Sequence, residues 1–179
     1  MRKTFFDVSL LRLLLSLFLV IGSGLFLIAP SNEAGTTTVS VFPSSVTTNV
    51  GQNFSINVNI TGVSDLYGWE VKLNWTTTIL EVVNATEGPF LESDGNSTFF
   101  YYDLNTTAGQ IAVECTRVGS VPGATGSGVL ATIKFNAQSS GQSPLDLYYA
   151  LLLNSATPSQ AIPYQLSSSN VYSSPPPDV

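Results

Sequence analysis

From Val39 onward the chain consists of short runs in which apolar and polar residues take turns. Phe54, Ile56, Val58 and Ile60 alternate with Ser55, Asn57 and Asn59; Trp69, Val71, Leu73 and Trp75 alternate with Glu70, Lys72 and Asn74. A period of two sends successive side chains to opposite faces of a strand, so each run predicts one buried and one wet face. Val39 and Val41 begin a strand that Pro43 ends, because proline cannot donate to a ladder. Thr76 to Thr78 breaks the alternation, Ile79, Leu80, Val82 and Val83 open a new β-branched run, and Gly88-Pro89 turns the chain before Phe90 and Leu91. Phe99 to Tyr102 predicts an aromatic strand, and Ile111, Val113 and Cys115 predict another. After the Gly-rich turn region Gly119 to Gly128, Val129, Ala131, Ile133 and Phe135 alternate with Thr132, Lys134 and Asn136. Leu145 to Leu153, apolar apart from Asp146, is read as a buried strand, and Tyr164 to Val171 closes the sheet. No stretch after residue 35 combines a helical period with caps. About nine strands separated by turn signals predict an all-β jelly-roll sandwich.

Residues 1 to 34 follow another pattern. Arg2, Lys3 and Arg12 precede Leu13 to Ala29, 17 uncharged residues interrupted only by Ser16 and Gly22-Ser23-Gly24. As one N-terminal hydrophobic helix this segment spans roughly 25 Å, borderline for a bilayer. The basic flank stays inside and everything after Pro30 lies outside. Ala29-Pro30-Ser31 is a mediocre small-x-small cleavage site, so residues 1–34 read as a signal peptide or a signal anchor. The sandwich domain is assigned to 35–172, and the Pro-rich tail 173–179, with Pro175-Pro176-Pro177, to an extended conformation. The expected location is extracellular, at the cell surface, either secreted or held in the membrane through residues 1–34.

Composition narrows the partners. Six Lys and Arg stand against 12 Asp and Glu, with no His and a net charge of -6. Nucleic acid is excluded as a ligand, because phosphate needs clustered basic residues. Only 10% of the chain is charged, and its polarity comes mostly from Ser, Thr and Asn. Six Asn-x-Ser/Thr sequons occur, at Asn53, Asn59, Asn74, Asn84, Asn96 and Asn105. Chance in so Ser/Thr/Asn-rich a chain gives about three. Parity places Asn53, Asn59 and Asn74 on the solvent side of their strands, where either a glycan or a bare polar face is compatible with the pattern.

Catalytic chemistry finds no support. Cys115 is alone, shares parity with Ile111 and Val113, and has no His to activate it, so it reads as a small buried hydrophobe. Glu70 and Glu114 both have outward parity and could form a carboxylate pair, but exposed strand glutamates are the far commoner explanation. Glu92-Ser93-Asp94-Gly95-Asn96 lacks EF-hand spacing and reads as a turn. Gly123 to Gly128 has no Lys and helix after it, so it is not a phosphate loop. No metal, no cofactor and no enzymatic activity are expected. Aromatic rings, by contrast, occupy both faces of Phe99-Phe100-Tyr101-Tyr102. A sandwich buries one face only, so Phe99 and Tyr101, or Phe100 and Tyr102, lie outside or beneath a loop.

The order from Leu66 to Leu91 (aromatic strand, short polar link, LEVV-like strand, Gly turn, two apolar residues) resembles the middle of a cohesin domain. Val50-Gly51 before the Phe54 strand, and the run Gly126-Ser127-Gly128-Val129-Leu130-Ala131-Thr132-Ile133-Lys134-Phe135, are similar to cohesin motifs as well. The resemblance covers roughly Val39 to Val171. It implies a nine-stranded jelly roll, related to cellulose-binding modules, that docks a dockerin in a calcium-dependent way on one sheet face. Strand order in the family places on that face Glu70, Lys72 and Asn74; Phe100 and Tyr102; Ala112, Glu114 and Thr116; and Thr132, Lys134 and Asn136. Asn74 is also a sequon, and a glycan there would obstruct a flat protein interface. The functional expectation is a non-catalytic binding module displaying a protein partner, a dockerin, in polysaccharide degradation. Its alternatives are a carbohydrate-binding module that takes polysaccharide, and a structural or adhesive envelope protein.

Overall fold

The computed structural model describes residues 36–176. The hydrophobic helix expected in residues 1–34, with its signal or anchor role, lies outside the described residues. Among those described, every regular element is a strand, and no helix is long and apolar enough to cross a membrane. The strands are β1 (Thr38–Phe42), β2 (Ser45–Asn49), β3 (Asn53–Asn74), β4 (Leu80–Glu87), β5 (Thr98–Asn105), β6 (Gln110–Arg117), β7 (Ala124–Ala137), β8 (Gly141–Asn154), β9 (Gln165–Ser167) and β10 (Ser169–Ser174).

Ten strands replace the nine expected, for local reasons. The runs around Phe54 and Trp69 are one continuous 22-residue strand, β3. Strand β2, SVTTN, has a single apolar position in Val46 and left no clear periodic signal. The closing segment divides at Ser168 into β9 and β10. Strand β10 also runs two residues into the expected tail, where Ser173 and Ser174 pair with Thr48 and Asn49.

Strand β3 organises the rest because it serves two layers. Its first half pairs with β1 and β7, and its second half, from Leu66, with β6 and β8. The β3–β7 register shifts after Val58, Ile60 and Val63, the bulges that let a strand bend. Asp65 sits at this bend with φ of 59°, a left-handed conformation that Asp tolerates better than most residues. Its carboxylate accepts hydrogen bonds from Gly123 N (2.8 Å), Ser155 N (3.2 Å) and Ser155 Oγ (2.8 Å). The bend is thereby tied to the loop before β7 and to the end of β8, and the Ser155 hydroxyl leads in holding the carboxyl below its usual pKa.

One layer is therefore β5-β6-β3-β8, and the other is β4-β7-β3-β1-β9. Strands β1 and β2, separated by Pro43-Ser44, run parallel to β9 and β10 and carry the chain from the second layer to the side of β8. At that kink the buried Ser169 hydroxyl donates to the Pro43 carbonyl at 2.7 Å, which satisfies a backbone acceptor that no ladder reaches. Trp69, Val71, Leu73 and Trp75 are all buried, as their parity predicts. The Trp75 ring meets the Phe135 ring of the opposite layer edge-on at 5.7 Å, and Phe54 stacks on Phe135 at 5.6 Å. Phe135, fully buried, is the kind of side chain whose removal from water contributes about 1.5–3 kcal/mol.

Two sequence expectations need correction. Leu145 to Leu153 is not buried on both sides: Leu145, Leu147, Ala150 and Leu152 face the core, while Leu151 and Leu153 are half-buried on the outer side. A register shift at β8 also exposes both Tyr148 and Tyr149. In β7 a bulge opposite Val58 and Asn59 inserts Leu130, so Leu130 enters the core and Val129 is only half-buried.

That bulge receives the Gly88-Pro89 turn. Gly88 N donates to Leu130 O at 2.9 Å and Phe90 N to Val129 O at 3.2 Å. A Cβ on Gly88 would stand 2.3 Å from the Val129 carbonyl oxygen, and one on Gly128 would stand 2.7 Å from the Phe90 ring. The two glycines are required by backbone and ring approach, not by turn geometry. Gly88→Ala is expected to lower the unfolding free energy by about 1–3 kcal/mol, measured by urea unfolding. A loss within about 0.5 kcal/mol would mean that the β7 backbone yields without cost.

Candidate partner-binding face

The outer surface of the β5-β6-β3-β8 layer is a grid set by register. Four rows cross it: Phe99–Thr116–Gly68–Leu153, Tyr101–Glu114–Glu70–Leu151, Asp103–Ala112–Lys72–Tyr149 and Asn105–Gln110–Asn74–Asp146. The rows lie about 7 Å apart along the strands, two residues at a time. The first two rows carry the apolar side chains Phe99, Leu153, Tyr101 and Leu151, with Glu70 and Glu114 between the last two, and the fourth row is wholly polar. Phe99 is 61% exposed and Tyr101 51%, large values for aromatic rings. Because Gly68 has no side chain, a hollow of about 290 Å³ opens between Phe99, Thr116, Glu114, Leu151 and Leu153.

Electrostatics divide the middle of the grid. Glu70 and Glu114 are directly opposed on neighbouring strands, an arrangement that like charges disfavour. Lys72 relieves Glu70, with Nζ 3.2 Å from its carboxylate and 4.8 Å from the centre of the Tyr149 ring. The hydrogen bond that Lys72 donates to Glu70, followed by the charge of that carboxylate, raises the Lys72 pKa. Asp103, Glu114, Glu70 and Asp146 against Lys72 leave the face acidic.

The face is not the set of residues expected from strand order. Glu70, Lys72, Asn74, Ala112, Glu114 and Thr116 do share it. Phe100 and Tyr102 do not: they pair with the buried Cys115 and Val113 and pack half-buried against the core, and Phe99 and Tyr101 take the outward places. With aromatics at both parities, only the register with β6 could distinguish the two pairs. Thr132, Lys134 and Asn136 lie on the other side of the molecule, because β7 pairs with the first half of β3. There Thr132 Oγ1 donates to Asn57 Oδ1 at 2.9 Å and Asn136 Nδ2 to Asn53 Oδ1 at 2.8 Å. No single flat partner can touch these three together with Glu70 and Glu114. The sequence reading also passed over Gly68, Tyr149, Leu151 and Leu153. The glycine and the leucines resembled packing residues, and only the pairing with β3 turns them outward.

A family model for the cohesin domain matches residues 39–159. The chain belongs to the cohesin family. Solved structures agree with it in fold. A non-cellulosomal cohesin from the archaeon Archaeoglobus fulgidus aligns with 18% identity and a TM-score of 0.64, over 78% of this chain and 91% of that one. A cohesin–dockerin complex from Clostridium thermocellum aligns with 14% identity and a TM-score of 0.66, over 79% and 95%. A type II cohesin from Acetivibrio cellulolyticus gives 17% and 0.64, over 76% and 95%. No curated protein matches the chain in sequence. Cohesins are non-catalytic protein-binding modules, at the level of the family.

The end of this cohesin nearest Phe99 is held by a buried charge. Arg117, whose side chain is only 1% exposed, donates from Nη1 to Asp94 Oδ2 at 2.8 Å and to the Pro122 carbonyl at 2.9 Å. Its Nε and Nη2 have no hydrogen-bond partner among the described residues. The Glu92–Asn96 segment is thus a turn whose one central carboxylate is committed to Arg117, and Asn96 N also donates to Asp94 Oδ1 at 3.2 Å. Among the described residues no group of three or more His, Cys, Asp or Glu side chains could hold a metal. Cys115 is buried and donates from Sγ to Glu87 Oε1 of the opposite layer at 3.1 Å. Burial first, and then that carboxylate, push its thiol pKa up, which leaves no thiolate for chemistry.

Arg117 holds the Asp94 carboxyl down to about 2 from 3.8. A depressed carboxylate stabilises the fold above its unfolded pKa and loses that contribution as pH falls through the folded one. Asp94→Asn should therefore lower Tm at neutral pH, and the gap to the unsubstituted protein should close between pH 3.8 and about 2. A Tm difference that persists unchanged across that acid range would remove the ion pair as its cause.

Proposed function

We propose that this domain is an extracellular, non-catalytic cohesin that holds a dockerin-bearing protein at the cell surface, with a role in polysaccharide degradation. The observation that carries the reading is the grid on β5-β6-β3-β8, where exposed Phe99 and Tyr101 and the Leu151 and Leu153 side chains surround the Gly68 hollow. Interfaces favour this composition, an aromatic and aliphatic centre with a polar rim. The acidic balance of the face suits a partner presenting basic side chains. Solved cohesins of the same fold from Clostridium thermocellum and Acetivibrio cellulolyticus stand in complexes with dockerins. Residues 1–34 would export the domain and either leave it free or keep it on the membrane.

The exposed rings also favour a second reading, a carbohydrate-binding module, since Phe99, Tyr101 and Tyr149 could stack on sugar rings. One set of measurements separates the two. Against a panel of calcium-loaded dockerins, Tyr101→Ala and Glu114→Ala should each weaken capture about tenfold or more, while Lys134→Ala on the opposite sheet leaves it unchanged. Capture that depends on Lys134 and not on Tyr101 moves the site to the other face. Retention on insoluble polysaccharide, with no dockerin captured, assigns the rings to sugar.

A further inference from the structure

The six sequons do not stand in equivalent places. Asn53, Asn84 and Asn105 are exposed, and each has an exposed hydroxyl two residues on, at Ser55, Thr86 and Thr107. No other sequon exposes both its asparagine and that hydroxyl. Two of the three already spend their carbonyl oxygen on the protein: Asn53 Oδ1 accepts from Asn136, and Asn105 Oδ1 accepts from Ala108 N at 2.9 Å. Among the described residues their Nδ2 has no hydrogen-bond acceptor. All three also have open ground beside them. Among the described residues β4, which carries Asn84, pairs only with β7, and β5, which ends at Asn105, pairs only with β6. Asn53 lies beyond the last residue that β1 reaches, since that pairing stops at Asn57.

The remaining three are hemmed in. Asn59 is flanked by Ser40 and Val129, and its Oδ1 is buried without a partner. Asn74 is half-buried between Gln110 and Asp146. Asn96 is half-buried, as is the hydroxyl-bearing Thr98 two residues on, and its backbone N–H donates to the Asp94 carboxylate that holds Arg117.

We propose that Asn53, Asn84 and Asn105 carry N-linked glycans in the exported protein and that Asn59, Asn74 and Asn96 stay bare. In this transfer Nδ2 bonds to the anomeric carbon of an oligosaccharide carried on a lipid phosphate. The bond from that carbon to the phosphate oxygen breaks, the lipid phosphate leaves with the electron pair, and Nδ2 gives up one proton. The consequence is spatial. Asn53 and Asn84 coat the β4-β7-β3 face, and Asn105 stands about 20 Å along β5 from Phe99, so the apolar rows stay uncovered. Asn74, the one sequon whose glycan would crowd the face from within its central strands, is among the bare ones.

The proposal rests on export of the domain and not on its partner, because dockerin capture can be measured on sugar-free protein. The test is intact mass and glycopeptide mapping of the full chain isolated from its native host, by cell fraction. Glycan mass is expected at Asn53, Asn84 and Asn105 only, and Ser55→Ala, Thr86→Ala and Thr107→Ala should each remove one. A bare polypeptide outside the cell overturns the glycans and leaves export standing, whereas a bare polypeptide in the cytoplasm overturns both. Occupancy at Asn59, Asn74 or Asn96 in place of the exposed three also overturns the assignment.

Discussion

One strand shared between two layers is the constraint on which this fold depends. Strand β3 enters the second layer at Asn53, bends through bulges around Asp65, and leaves in the first layer at Asn74. Every other strand takes its layer from the half of β3 it meets, directly or through a neighbour. A side chain points outward by parity, but which outside it faces is decided by this bend. Glu70 and Lys134 are both outward residues, yet they are on opposite sides of the molecule for this reason alone.

This separates what could be read in the chain from what could not. Parity is a local property, and the Trp69–Trp75 and Phe54–Ile60 runs stated theirs without ambiguity. The resemblance to cohesins was legible too, and the structure shows why its markers carry fold information. Gly88, Phe90, Gly128 and Val129 came from two separate motifs, and they meet at one contact in which any extra atom collides. Layer membership was not legible, because a period of two is the same in either sheet. Nor was the face of β5, where aromatic residues fill both parities, or the insertion of Leu130, since a bulge changes the phase of a pattern without changing its composition.

The two outer surfaces differ as strongly as surfaces of one small domain can. One gathers Phe99, Tyr101, Tyr149 and two leucines around carboxylates. The other is Asn, Ser and Thr, laced by hydrogen bonds such as Thr132 to Asn57, with Phe42 and Val83 its main exposed apolar residues. Exposed apolar area carries a solubility cost that a monomer without a partner has no reason to bear. The asymmetry is thus a stronger functional signal than any single residue in it.

The parallel pairing of β1 with β9 and of β2 with β10 has a kinetic meaning. Strand β1 can pair early with β3, but among the described residues β2 has its partner only in β10, and the other edge of β1 is covered only by β9, so the sheet is completed only when the C-terminal strands are free to join. Such long-range pairing slows folding, because loop closure is spent before the contacts that repay it. The inner strands can therefore order first, while the edges at β2 and β9 close last and hold the two ends of the domain together.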